Sequence, residues 1–342
     1  MKTNITKIVL SGIAAALLVP SMQASTIQLV TVGGNASIKL VQNRIPTILS
    51  GAVLTTNPTN SLLFKFVGTY GGNTIDWEWN LTGGAYAVSA IASSTPVTLE
   101  DGVSTAIPDF ATSAVAPETT AIDSSPFQQD ITVVVPVVFV KGSALGGVTN
   151  LTQRQASYLE SSGDSLPATY FGGTNNDPVV YVGRNGLSAV RSLIDANVYF
   201  SGTALNYTTN SVPPYSAPQP YIGAGSGSEV AAIVGVLTNS VGTVAAQDIG
   251  SLPTLSYEGV PYSTANVLNG TYPLWGYERY IYLPTLSGTK LALVQALEAA
   301  VTNPTFQSTS SLFINKFVSY SALNALNGRS ISGDGGPIFS NQ

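Results

Sequence analysis

Apolar and polar positions along most of the chain follow a repeating cycle of strand, small-residue turn and helix. Val179 to Val182 reads Val-Val-Tyr-Val, an unbroken apolar run that predicts a buried strand. It breaks at Gly183, presents Arg184, Asn185 and Gly186, and gives way at Ser188 to a helical pattern. Nearer the start, Thr26 to Val32 predicts a strand, Gly33 to Ser37 a turn, and Ile38 to Leu49 a helix. Ser61 to Val67 and the alternating Thr74 to Trp79 predict two further strands, after which Thr82-Gly83-Gly84 opens a small-residue helix through Ala92. Ile131 to Val140 is β-branched almost throughout and interrupted only by Pro136. Asn150 to Gln153 has the character of a helix N-cap, with the helix running through Leu159. Further helices are expected over Ser226 to Leu237 and Lys290 to Val301, with a strand at Tyr280 to Leu283 after the aromatic residues Tyr272, Trp275 and Tyr277. Tyr207 to Tyr221 is rich in Pro and Tyr, has no periodicity, and reads as a long surface loop. Such a cycle predicts an α/β fold with parallel strands, and sheets of that kind bind ligands at strand carboxyl ends beside helix N-termini.

The N-terminus has a different pattern. Lys2 and Lys7 precede an apolar stretch from Ile8 to Val19, too short to span a bilayer, and Met22-Gln23-Ala24 suits a signal peptidase. Residues 1–24 are therefore expected to be a cleaved signal peptide, with the mature chain starting near Ser25. The sequence has no cysteine, hence no lipobox and no disulfide framework. The expected location is the periplasm or the exterior.

Composition narrows the chemistry. Charged residues make up 9% of the chain against 44% hydrophobic, and the net charge of −5 disfavours nucleic acid as a partner. With no histidine or cysteine, neither a Ser–His–Asp nor a Cys–His nucleophile can be built, nor a zinc site of ordinary ligands. The acidic residues are scattered singly, without the pairing of a glycosidase or the spacing of an EF-hand loop. No catalysis, cofactor or metal is expected. Gly223 to Ser228 contains Gly-Ala-Gly-Ser-Gly but lacks the Lys-Ser/Thr of a nucleotide-binding loop. Trp77, Trp79, Trp275 and Tyr277 suit either stacking on a sugar or core and hinge packing, the latter being the commoner use.

The segment from Val182 to Arg191 is the leading candidate site. Backbone N–H groups at a helix N-terminus converge on anions, and Arg184 adds a permanent charge with a planar fork of donors. Several segments, in order, resemble the phosphate-type periplasmic solute-binding proteins of ABC transporters. Pro136 to Lys141 with Gly147 to Thr152 is similar to that family's P-v-v-f-v-K … G-v-t-N-L-T, and Asn269 to Trp275 to its n-G-x-Y-P-l segment. Gly227 to Val244 resembles its glycine-led helix, and the helix from Lys290 lies where the family has one. The resemblance implies a two-lobed periplasmic-binding-protein-like fold (type II), each lobe a mixed sheet flanked by helices, with two hinge crossings near Ile131 to Pro136 and Tyr272 to Tyr277. Residues 25–135 plus 275–342 would form lobe 1 and residues 136–274 lobe 2.

The same resemblance implies a ligand site. Asn35, Ala36 and Ser37 correspond to the first-helix loop, Thr82 and Gly83 to the start of the next helix, and Arg184, Ser188 and Ala189 to the family's Arg-x-x-x-Ser-Gly-Thr. Two departures alter it. Ala189 and Val190 stand for the glycine and threonine, and Ser113-Ala114 for a Ser-Asp pair whose carboxylate accepts a phosphate proton in the family. Charge-assisted hydrogen bonds contribute roughly 1.5–3 kcal/mol each, so both losses weaken phosphate binding. Gly33 to Ser37, Thr82 and Ser113 also fit plain turn, capping and loop roles. The expected function is capture of a small oxyanion or anionic organic ligand between the lobes, with an ABC transporter permease as partner. The alternative is a ligand-free structural or surface-interaction protein that keeps the fold and self-associates or holds a surface partner.

Overall fold

The computed structural model describes residues 25–162, 164–200, 207–208, 220–221, 223–310, 317–329, 334–335 and 338–340. Residues 1–24, expected from the sequence to be a signal peptide, and residues 209–219 of the Pro/Tyr-rich stretch lie outside the described residues. Of that stretch, Tyr207–Thr208 pairs antiparallel with Pro220–Tyr221.

The sheet's principal strands are β1 (Thr26–Gly33), β2 (Ser50–Thr56), β3 (Leu63–Tyr70), β4 (Asn73–Asn80), β5 (Phe110–Ser113), β6 (Gln128–Lys141), β7 (Asp164–Pro167), β8 (Pro178–Val182), β9 (Ser240–Ala245) and β10 (Trp275–Tyr282). They hydrogen-bond in the order β7-β8-β9-β6-β10-β5-β1-β4-β3-β2. Pairs β1/β4, β1/β5 and β8/β9 are parallel and the rest antiparallel. The mixed α/β sheet that the resemblance implied is thus present, whereas the parallel pairing expected from the strand–turn–helix cycle is limited to those three pairs. The central pair β6 and β10 carries the chain between two halves, β1 to β5 on one side and β7 to β9 on the other.

Pro136 does not interrupt its strand. β6 runs straight through it, and the reason lies in the pairing. Pro136 is the last residue opposite β10 (partner Trp275), and Val137 is the first opposite β9 (partner Ala245). A residue without an N–H falls where the ladder changes partner and no bond is lost. Two other sequence readings are corrected, and one strand was not read. β10 begins at Trp275 rather than Tyr280, so Trp275 and Tyr277 are strand residues. The first helix, α1 (Ile38–Arg44), ends early because Pro46 turns the chain into a 3-10 turn at Ile45–Thr47. Strand β2, unread in the sequence, lies on the sheet edge with most positions exposed, so no apolar alternation marks it.

The remaining helices used below are α2 (Gly84–Ser93), α3 (Gln153–Ser162), α4 (Ala189–Asn197), α5 (Gly227–Val236) and α6 (Gly288–Thr302). The aromatic residues weighed for sugar stacking all belong to the core: Trp77, Trp79 and Trp275 are 0% exposed and Tyr277 3%. Trp79 stacks on Phe64 with centroids 5.9 Å apart and planes at 4°. Among the described residues no helix is long and apolar enough to cross a membrane.

A C-terminal segment straps the halves together. The Arg329 guanidinium lies 4.5 Å over the Trp275 ring and donates to its carbonyl at 3.1 Å. Asp334 accepts the Ala116 N–H at 2.6 Å and the Thr119 hydroxyl at 2.7 Å, and pairs with the fully buried Arg279 at 3.6 Å. Gly335, at φ +82°, lies so close to α4 that a Cβ there would stand 2.9 Å from that of Ala196.

Candidate functional site

Four separate segments meet where the two halves face each other. Asn35 and Ala36 come from the turn after β1, Gly83 and Gly84 from the start of α2, Ala114 from the end of β5, and Arg184, Ser188, Ala189 and Val190 from the turn between β8 and α4. Six residues of the expected site (Asn35, Ala36, Gly83, Arg184, Ser188 and Ala189) therefore line one seam.

Three others stand outside it. The Thr82 hydroxyl donates to Asn80 Oδ1 at 2.5 Å, closing a local turn. Ser113 Oγ accepts the Val115 N–H at 3.2 Å. Ser37 is fully buried behind the turn, its hydroxyl 3.4 Å from the Gly34 carbonyl.

The seam is almost filled. Its residual cavity is about 10 Å³, room for about one water. The first N–H groups of a helix have no partner within the helix and need one from elsewhere. At α2 that partner is the Leu187 carbonyl, which accepts from Ala85 N–H at 3.1 Å and Tyr86 N–H at 3.3 Å. At α4 it is the Ser188 hydroxyl, which accepts the Arg191 N–H at 3.4 Å. Gly83 and Gly84 permit this approach. A Cβ on Gly83 would lie 2.8 Å from the Leu187 carbonyl carbon, and one on Gly84 2.7 Å from the Ala189 Cβ. Gln247 adds a tie on the other side, its Nε2 donating to the Asn35 carbonyl at 2.9 Å.

Arg184, 2% exposed, turns its guanidinium onto main-chain oxygens: Nε donates to the Ala224 carbonyl at 3.2 Å and Nη2 to the Gly225 carbonyl at 3.1 Å. Those carbonyls belong to the Gly-Ala-Gly-Ser-Gly stretch. Gly223, at φ +101°, is required there, because a Cβ would lie 2.5 Å from the Asn185 nitrogen. Ser226 then caps α5, its Oγ accepting the Glu229 N–H at 3.0 Å, and the Glu229 carboxylate reaches back to accept the Gly225 N–H at 2.7 Å.

A carboxyl group also lines the seam. Glu278, on β10, is 1% exposed, and burial pushes it up to about 7, against the opposing pull of the Ser37 hydroxyl, the Arg279 guanidinium and the Thr112 hydroxyl. Sequence reasoning missed this residue. The available signal was an acidic residue inside a strand of buried aromatics, where an ionisable group is rare. On α4, burial and the neighbouring Glu160 carboxylate lift Asp195 to about 8, although Arg191 lies 3.4 Å away.

No family model matches the chain, and no curated protein matches it in sequence. Solved structures do match. A Clostridium perfringens protein assigned to phosphate ABC transport, solved with bound phosphate, superposes with a TM-score of 0.58 at 12% identity over 85% of this chain and 100% of that one. An ABC-type phosphate transport receptor from Vibrio cholerae gives 0.53 at 14% identity over 82% and 96%. A DING protein gives 0.53 at 12% over 85% and 90%. The chain has the two-lobed fold of periplasmic binding proteins. At these identities the likeness is one of fold, and what fills the seam is decided by this chain's own residues.

Proposed function

We propose that this is an exported, non-catalytic protein that keeps the binding-protein fold, with lobes at 25–135 plus 275–342 and at 136–274, but holds its cleft shut with its own main chain. It works as a structural or surface-interaction scaffold. The observation that carries this reading is the Leu187 carbonyl on the Ala85 and Tyr86 N–H groups. A carbonyl oxygen, with its partial negative charge, fills the place at a helix N-terminus that an anion would take. Glu278 adds a carboxyl that repels an anion whenever it is ionised, and the Asp334 strap fixes the closed arrangement.

Calorimetric titration with phosphate, sulfate and small carboxylates tests it. The expected result is no heat and no rise in melting temperature at millimolar ligand. A saturable titration that Arg184→Ala abolishes overturns it in favour of the second reading, capture of a small oxyanion for an ABC transporter. That second reading is favoured by the convergence of Arg184, Ser188, Asn35 and Gly83 on one seam, and it requires the lobes to part by breaking the contacts described above.

A further inference from the structure

A larger cleft, sharing no lining residue with the seam, lies in the second half, with a volume of about 640 Å³, within the range of small-ligand sites. We propose that it binds a short pyranose glycan bearing a carboxylate, such as a uronate oligosaccharide. One wall is a stripe of α3. Gln153, Arg154, Ser157, Tyr158 and Ser161 fall on one helix face by their spacing and line the cleft together. They supply amide, guanidinium and hydroxyl groups along one edge.

Beside that stripe the lining is aromatic. Tyr170 leans toward Tyr158, with centroids 6.3 Å apart and planes at 52°, and is braced edge-on by Phe171 at 5.2 Å. Gln155 Nε2 donates to the Tyr170 carbonyl at 2.8 Å and ties that turn to α3. The two rings form an open wedge rather than a closed stack. A pyranose presents an apolar C–H face to an aromatic ring and hydroxyls at its rim, which suits aromatic rings beside a row of donors and acceptors.

Tyr199 completes the cleft and supplies an independent observation. It follows α4 at φ +55° and is 72% exposed. Phe200 N–H donates to the Asp195 carbonyl at 2.8 Å, the six-to-one bond of a helix end that favours glycine at this position. A tyrosine there costs about 1 kcal/mol or more in backbone conformation and leaves a large ring facing solvent at the cleft mouth. Burial does not recover that cost. Contact with a ligand would.

Charge selects the ligand. Among the described residues, Arg154 is the only charged side chain lining the cleft, and no carboxylate forms an ion pair with it. A sugar carboxylate fits its fork.

Titration of the mature protein with tetragalacturonate and with cellotetraose tests this. Tetragalacturonate is expected to bind about tenfold more tightly than cellotetraose, with Arg154→Ala removing the difference. Tyr170→Ala and Tyr199→Gly are each expected to weaken tetragalacturonate binding about tenfold. Tyr199→Gly is also expected to melt at or above the wild-type temperature, because glycine relieves the left-handed backbone. A merely structural tyrosine would not combine higher stability with lost affinity. The proposal is overturned if neither saccharide titrates at millimolar concentration or if the tyrosine variants bind as the wild type does. It also fails if a peptide copying residues 210–220 binds the cleft and tetragalacturonate does not displace it.

Discussion

The carbonyl of Leu187 caps the helix that begins at Gly84, accepting the Ala85 N–H at 3.1 Å from across the seam. A contact made by main chain on both sides depends on how closely the backbones approach, and that approach depends on Gly83. Its φ of 172° is extended and open to any residue, so a substitution there acts by volume alone. Gly83→Ala is expected to push Leu187 away, lower stability by about 1–3 kcal/mol as overpacking does, and widen the seam. Urea denaturation and small-angle scattering read the two effects. A variant as stable and compact as the wild type shows that the closure does not rest on this contact.

Glu278 and Asp195 titrate in the same direction. Burial lifts them to about 7 and about 8 in the folded protein, above the ordinary carboxylate range they have in the unfolded chain. The folded state therefore holds protons that the unfolded state releases. This contribution is fully present below the unfolded values and is lost as pH rises through 7 to 8. Stability is expected to be higher at pH 5 than at pH 8.5, and Glu278→Gln should flatten the lower part of that slope and stabilise the protein at alkaline pH. Urea midpoints across that range decide it. A wild-type profile that rises with pH contradicts the assignment.

Much of this fold was legible in the sequence where burial leaves a compositional mark. Val179 to Val182 lies in a strand covered on both faces, and its apolar run says so. Strand β2 left no such mark because its side chains face solvent, and its identity comes from pairing with β3 alone. The meeting of Asn35, Gly83, Arg184 and Ser188 could be read from ordered motifs. The occupant of their seam could not, because every residue type carries the same main-chain carbonyl and only tertiary placement brings that of Leu187 to α2. Thr82 illustrates the limit on the other side: its hydroxyl suits an anion by type, yet Asn80 two residues away accepts it first.

Asp334 holds the strap at a point where charge is fully buried. The Arg279 side chain is 0% exposed and that of Asp334 3%, and removing one member of a buried ion pair commonly costs about 3–5 kcal/mol because the other charge stays behind. Asp334→Asn keeps the shape and removes the charge. It is expected to lower stability by about 3 kcal/mol and to raise hydrogen exchange at the Ala116 amide, which donates to this carboxylate. Unchanged exchange at Ala116 would mean that the strap is not fastened here.

The last test separates side-chain loss from main-chain filling as the ground on which the proposed scaffold role excludes phosphate. If phosphate binding were prevented only by the missing partners, Ala114→Asp with Ala189→Gly and Val190→Thr would restore it, since these changes rebuild the pattern that the chain departs from. The geometry predicts otherwise. The Leu187 carbonyl would still occupy the α2 N–H groups, and the cavity of about 10 Å³ would gain a second carboxyl beside Glu278. Two carboxyl groups in one dry site cannot both ionise without a large penalty, so the triple variant should be less stable than the wild type at pH 8 and closer to it at pH 5. Calorimetry with millimolar phosphate should give no binding heat. Tight binding by the triple variant would show that the lobes part readily and that the cleft lacks only its side chains.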